Sequence, residues 1–170
     1  MLGISSGINT DKGYAPGERF RERFHIGGTY NAGSNPIGFK GKEADYIGDF
    51  AESTDDDNFA TTNSSISIYS ATLRVSSSAT NGYASIAFST TVGVGYTVVV
   101  DVAGIQSGNA ALVQIGNSAG AYALYNSGNV TSTATKTATF TATAKITYLT
   151  LRSKTSGKWI NFDNISLKES

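Results

Sequence analysis

Ser65-Ile66-Ser67-Ile68-Tyr69-Ser70-Ala71-Thr72-Leu73-Arg74-Val75 alternates apolar and polar residues through two consecutive runs. A period of two sends successive side chains to opposite faces of a strand, so each run reads as a half-buried β-strand. Downstream, Tyr83-Ala84-Ser85-Ile86-Ala87-Phe88 keeps the alternation. Tyr96-Thr97-Val98-Val99-Val100-Asp101-Val102 is a β-branched run of the kind expected in a strand buried on both faces. Residues 111–115, 121–125, 136–141, 145–152 and 158–162 continue the series, with turns marked by Asn81-Gly82, Gly93, Gly95, Ser107-Gly108-Asn109, Gly116-Asn117, Ser127-Gly128-Asn129 and Ser156-Gly157. Many short strands with no helical stretch between them predict an all-β sandwich or barrel.

Upstream the habit changes. Residues 1–50 hold 12 of the 26 charged residues and 10 of the 19 glycines, which divides the chain into an extended N-terminal arm at 1–45 and a β domain at 46–170. A glycine-rich segment with few apolar residues buries too little surface to offset its ordering entropy, so it is expected to order on a partner. The alternative is an edge strand and loop covering the sandwich.

Composition excludes several functions. The 170 residues carry 13 basic and 13 acidic side chains, so no net field draws the chain to nucleic acid or an acidic membrane. Cysteine is absent and His25 is the single histidine, which removes thiol chemistry and most histidine-based hydrolase or metal sites. The start lacks the features of a secretory signal, and the longest apolar run is too short to span a bilayer. The few scattered carboxylates do not read as a glycosidase pair, and the chain is expected not to be an enzyme.

Four landmarks resemble the carbohydrate-binding-module-like jelly rolls found in secreted glycosidases and phage structural proteins. They are Ile47-Gly48-Asp49-Phe50-Ala51-Glu52 at the opening, Ala71-Thr72-Leu73-Arg74-Val75, the run Val92-Gly93-Val94-Gly95-Tyr96-Thr97-Val98-Val99-Val100, and the closing Ile160-Asn161-Phe162-Asp163-Asn164-Ile165-Ser166-Leu167. The resemblance implies a jelly-roll β-sandwich of two antiparallel sheets. It also implies a structural calcium shared by Glu52 and Asp163, with Asp49 as a third ligand; the alternative is that Asp163 and Asn164 only bond neighbouring backbone at a strand end. Asp55-Asp56-Asp57-Asn58 lacks the spacing of a calcium loop and reads as solvated. Met1-Leu2-Gly3-Ile4-Ser5-Ser6-Gly7 is similar to the openings of small phage virion proteins.

These likenesses imply a capsid decoration (cement) protein on the virion surface, assembled in the bacterial cytoplasm. Arg19, Phe20, Arg21, Arg23, Phe24, Ile37 and Phe39 would dock on the major capsid protein, and the sandwich would pair with its own copies, for example as a trimer. Glu18 and Glu22 interleave the arginines and oppose nucleic-acid binding. The rival expectation is an adsorption module holding host surface glycans through Trp159. Alternation sets Ile160 and Phe162 inward and Trp159, Asn161 and Asp163 outward, whereas most tyrosines are expected in the core or as cross-strand partners, which weakens the sugar reading.

Overall fold

The computed structural model describes residues 58–170 and the backbone of residues 45–48. Arg19, Phe20, Arg21, Arg23, Phe24, Ile37, Phe39, Asp49, Glu52 and Asp55 to Asp57 lie outside the described residues, and the expectations placed on them stay there. Among the described residues there are eleven strands and no helix. They are β1 (Asp45–Gly48), β2 (Ala60–Thr62), β3 (Ser64–Tyr69), β4 (Thr72–Ser77), β5 (Gly82–Ser89), β6 (Gly95–Ile105), β7 (Ala111–Gly116), β8 (Tyr125–Asn126), β9 (Ala134–Thr141), β10 (Ile146–Ser153) and β11 (Trp159–Glu169). One sheet has five strands in the order β2-β5-β10-β7-β8. The other has six, in the order β3-β4-β11-β6-β9, with β1 added on β11. All pairs are antiparallel, and the fold is a jelly-roll sandwich of two packed sheets.

The core is the sum of the inward phases of the strands. Leu73, Val75, Val98, Val100, Val102, Ile160, Phe162, Ile165 and Leu167 from the six-stranded sheet meet Ala84, Ile86, Phe88, Val113, Ile115, Leu149 and Leu151 from the other. Burying these branched side chains is the main stabilising contribution, since no disulfide is present.

Three expectations are corrected here. The run from Tyr96 to Val102 is buried on one face only: Tyr96, Val98, Val100 and Val102 are inside, whereas Thr97, Val99 and Asp101 are half-buried on the outer face. An antiparallel sandwich leaves each sheet one outer face, so a continuous apolar run need not mean two buried faces. Residues 121–125 do not form a strand; only Tyr125–Asn126 pairs, and the preceding residues cross the outer face of the five-stranded sheet. Asp101 does lie outward, but from a central strand, because β6 has β11 on one side and β9 on the other.

Two irregularities shape β11. Asn161 pairs with Gly104 and Phe162 with Val102, so Ala103 is an extra residue of β6. Asn164 takes φ 47° at the second shift, a left-handed conformation that asparagine tolerates better than most residues.

Candidate functional site

The outer face of the six-stranded sheet carries a diagonal row of three side chains from three strands. Tyr69 ends β3, Arg74 lies in β4, and Trp159 begins β11. Arg74 is opposite Ser67 on one side and Asn161 on the other, Tyr69 is opposite Thr72, and Trp159 is opposite Ser76. Diagonal neighbours on one sheet face are within reach of long and aromatic side chains. The Arg74 guanidinium carbon lies 3.6 Å from the centre of the Tyr69 ring and 4.1 Å from that of Trp159. The cation therefore stacks on both aromatic rings.

Local structure fixes each member. Ser70 and Ala71, at φ 48° and 55°, make the two-residue turn between β3 and β4. Two successive positive φ values are those of a type I′ turn, whose twist suits a hairpin. The Thr72 hydroxyl donates to the Tyr69 carbonyl at 2.5 Å and closes the turn. Arg74 Nε donates to Asn161 Oδ1 at 2.9 Å, which holds the guanidinium over the sheet. The backbone of Trp159 is clamped: its N–H donates to Gln106 Oε1 (3.0 Å), and its carbonyl accepts from the Gln106 N–H (3.2 Å) and from Asn109 Nδ2 (3.2 Å). Asn109 is itself buried and also bonds Ser153, the Ala110 N–H and the Thr155 N–H. Gly104 lies beneath; a Cβ there would sit 3.3 Å from Asn161 Nδ2 and 3.5 Å from the Trp159 ring.

Exposure differs along the row. Tyr69 is 51% exposed, whereas Arg74 and Trp159 are half-buried. Trp159 thus shares its ring surface with Arg74, and Tyr69, expected in the core or as a cross-strand partner, presents the open ring. Of the tyrosines of the described domain only Tyr96 is a core residue; Tyr122 is 59% exposed, and Tyr83, Tyr125 and Tyr148 are half-buried. Tyr69 and Tyr122 thus present ring surface to solvent.

Further along the same face, Asp163 is opposite Asp101. Asp163 Oδ1 accepts from the Asn164 N–H at 2.8 Å, while Asp101 accepts from the Thr135 hydroxyl at 2.5 Å and from Asn164 Nδ2 at 2.8 Å. Among the described residues no three acidic, histidine or cysteine side chains gather as a metal site. Of the expected calcium set only Asp163 is placed, and it lies within β11 at the register shift rather than at a strand end, with its Oδ1 bonded to the Asn164 N–H.

A second aromatic–arginine cluster lies on the outer face of the five-stranded sheet. Arg152 stacks over Tyr83 at 4.8 Å, but all three of its nitrogens are engaged: Nε with Gln114 Oε1, Nη1 with the Asn81 carbonyl and Nη2 with the Gly120 carbonyl. Desolvation by burial lowers the pKa of Arg152 below its ordinary value, opposed by Tyr83 and Tyr122. The Gly120 N–H donates to Thr150 Oγ1 at 3.0 Å, and the segment around it lies against the sheet. This face is covered and satisfied from within; the Tyr69–Arg74–Trp159 row is the more open of the two.

No protein-family model and no curated protein matches the sequence. Solved structures do match in shape. The CBM22-1 xylan-binding domain of Paenibacillus barcinonensis Xyn10C aligns with 77% of this chain and 97% of its own, at 9% identity and a TM-score of 0.56. A CBM4 domain aligns with 75% of this chain and 85% of its own, at 13% identity and a TM-score of 0.51. The chain has the jelly-roll fold of carbohydrate-binding modules. At these identities the likeness is one of fold alone, and nothing among the matches points to a phage particle.

Proposed function

We propose that the protein is a non-catalytic carbohydrate-binding module that holds a glycan on the outer face of its six-stranded sheet. The observation that carries this reading is the open ring of Tyr69, continued by Arg74 and Trp159 on a rigid sheet. An aromatic ring offers its face to the C–H side of a pyranose, and stacking of this kind needs no deep cavity. Sugar hydroxyls need partners beside the ring, and Ser67, Thr72 and Ser76 lie on the same outer phase as Tyr69 and Arg74. Binding by a preformed, sheet-borne surface avoids the entropy of ordering loops. The structural neighbours support glycan binding over capsid decoration, which rests on arm residues outside the described part of the chain.

Affinity electrophoresis of the full chain through gels containing neutral and acidic polysaccharides, xylan, mannan and polygalacturonate among them, tests the reading. The protein is expected to be retarded by at least one polysaccharide, and Tyr69→Ser, a surface change, to weaken that binding at least about tenfold. Normal retardation of Tyr69→Ser and of Trp159→Ala would place the glycan elsewhere; no retardation in any gel would remove the reading. An alanine at Trp159 also exposes Arg74, so its folding is checked by far-UV dichroism alongside.

A further inference from the structure

Resting on that reading, we infer that the Tyr69–Arg74–Trp159 row selects saccharides bearing a carboxylate, with the guanidinium of Arg74 as the recognising group. The guanidinium stacks on two aromatic rings, and its hydrogen-bonding capacity lies in its own plane. Within that plane Nε is committed to Asn161 Oδ1. Among the described residues the two Nη groups donate to nothing, leaving the end-on fork open. Two parallel N–H donors in one plane match a planar carboxylate, and match a ring hydroxyl less well. Among the described residues the side chains around the row do not supply that carboxylate. Asp101 and Asp163, the acids farther along this face, are held by Thr135 and Asn164, and the near neighbours Ser67, Thr72, Ser76 and Asn161 are neutral.

A positive fork with no anion from the described residues, flanked by an open ring and hydroxyls, is complementary to a uronate or sialate whose sugar ring lies toward Tyr69. The contrast with Arg152 sharpens the assignment. There the same aromatic stacking occurs, but Gln114, Asn81 and Gly120 occupy every nitrogen. Asn161 orients Arg74 as Gln114 orients Arg152, but both Nη groups of Arg152 are tied to backbone carbonyls, whereas those of Arg74 donate to none of the described residues.

Calorimetric titration of the full chain compares oligogalacturonate with its methyl ester, which keeps the backbone and removes the charge; sialyllactose is the second acidic arm. At low salt an acid is expected to bind about tenfold or more tightly than its neutral counterpart, and the preference to shrink in 1 M NaCl. Arg74→Met, which keeps the aliphatic stem between the rings, should abolish the preference and leave the thermal midpoint within a few degrees. Binding of sialyllactose alone, lost in Arg74→Met, supports carboxylate recognition and names sialate as its source. Equal binding of acid and ester, or a preference that survives Arg74→Met, overturns the inference while leaving glycan binding intact. If no saccharide binds, acidic or neutral, the inference and the glycan reading fall together.

Discussion

Ser70 and Ala71 illustrate how much a single backbone conformation contributes to the candidate site. Both occupy left-handed φ without being glycine, and each such residue costs on the order of 1 kcal/mol. The strain sits between Tyr69 and Thr72, where it sets the register that brings Tyr69 onto Arg74. Replacing the pair with Asn-Gly is expected to stabilise the protein by about 1–2 kcal/mol in urea unfolding. Unchanged or lower stability would mean that the turn is not of this type. Tyr96 shows the opposite case, an aromatic inside the core. Its hydroxyl accepts the Thr91 N–H at 2.9 Å while its ring stacks on Phe140 at a centroid distance of 5.7 Å. Tyr96→Phe keeps the ring and removes that acceptor, so about 1–2 kcal/mol should be lost. A neutral result would show that water replaces the hydroxyl at no net cost.

At the scale of elements, the segment that follows β7 is the part of the fold that alternation did not reveal. Residues 121–125 have apolar and aromatic character that suits a strand, yet tertiary packing draws them across the five-stranded sheet. Gly116 permits this approach: a Cβ there would lie 2.7 Å from the backbone of Ala121. Gly116→Ala is expected to lift the segment, destabilise the protein by about 1–3 kcal/mol and speed hydrogen exchange at the Gly120 amide, which donates to Thr150. Protection equal to the wild type at that amide would show that the segment is not pinned there. The connection from β10 into β11, which crosses from one sheet to the other, is fixed by a buried network instead. Asn109, Ser77 and Ser153 tie the loops together, with Ser77 donating to the Ser153 carbonyl at 2.5 Å. Trp159 consequently enters the sheet from a rigid support.

For the molecule as a whole, the two-sheet fold was legible because period two survives in nearly every strand. The inward phases Leu73–Val75, Ile86–Phe88, Leu149–Leu151 and Ile160–Phe162 can be read directly from the sequence. The candidate site was only half legible. Trp159 is outward in the pattern, but Tyr69, expected from alternation in the core or as a cross-strand partner, shares its phase with Ser65 and Ser67 rather than with Ile66 and Ile68. The same holds for Tyr83, in phase with Ser85 and out of phase with Ile86, and for Tyr148, in phase with Thr150 and Arg152. Among the described tyrosines only Tyr96 shares its phase with buried valines, and only it is in the core. The meeting of Tyr69 and Trp159 on Arg74 was beyond the sequence, because it depends on β11 pairing with β4 across a separation of more than eighty residues.

Trp159 is the single tryptophan of the chain, so its emission reports on this face alone. The most direct measurement is a fluorescence titration with the saccharide that retards the protein best, run beside calorimetry on the same samples. The glycan reading predicts a saturable change in Trp159 emission with the calorimetric midpoint, lost in Tyr69→Ser. Calorimetric binding with unchanged emission, and undiminished in Tyr69→Ser, would contradict it.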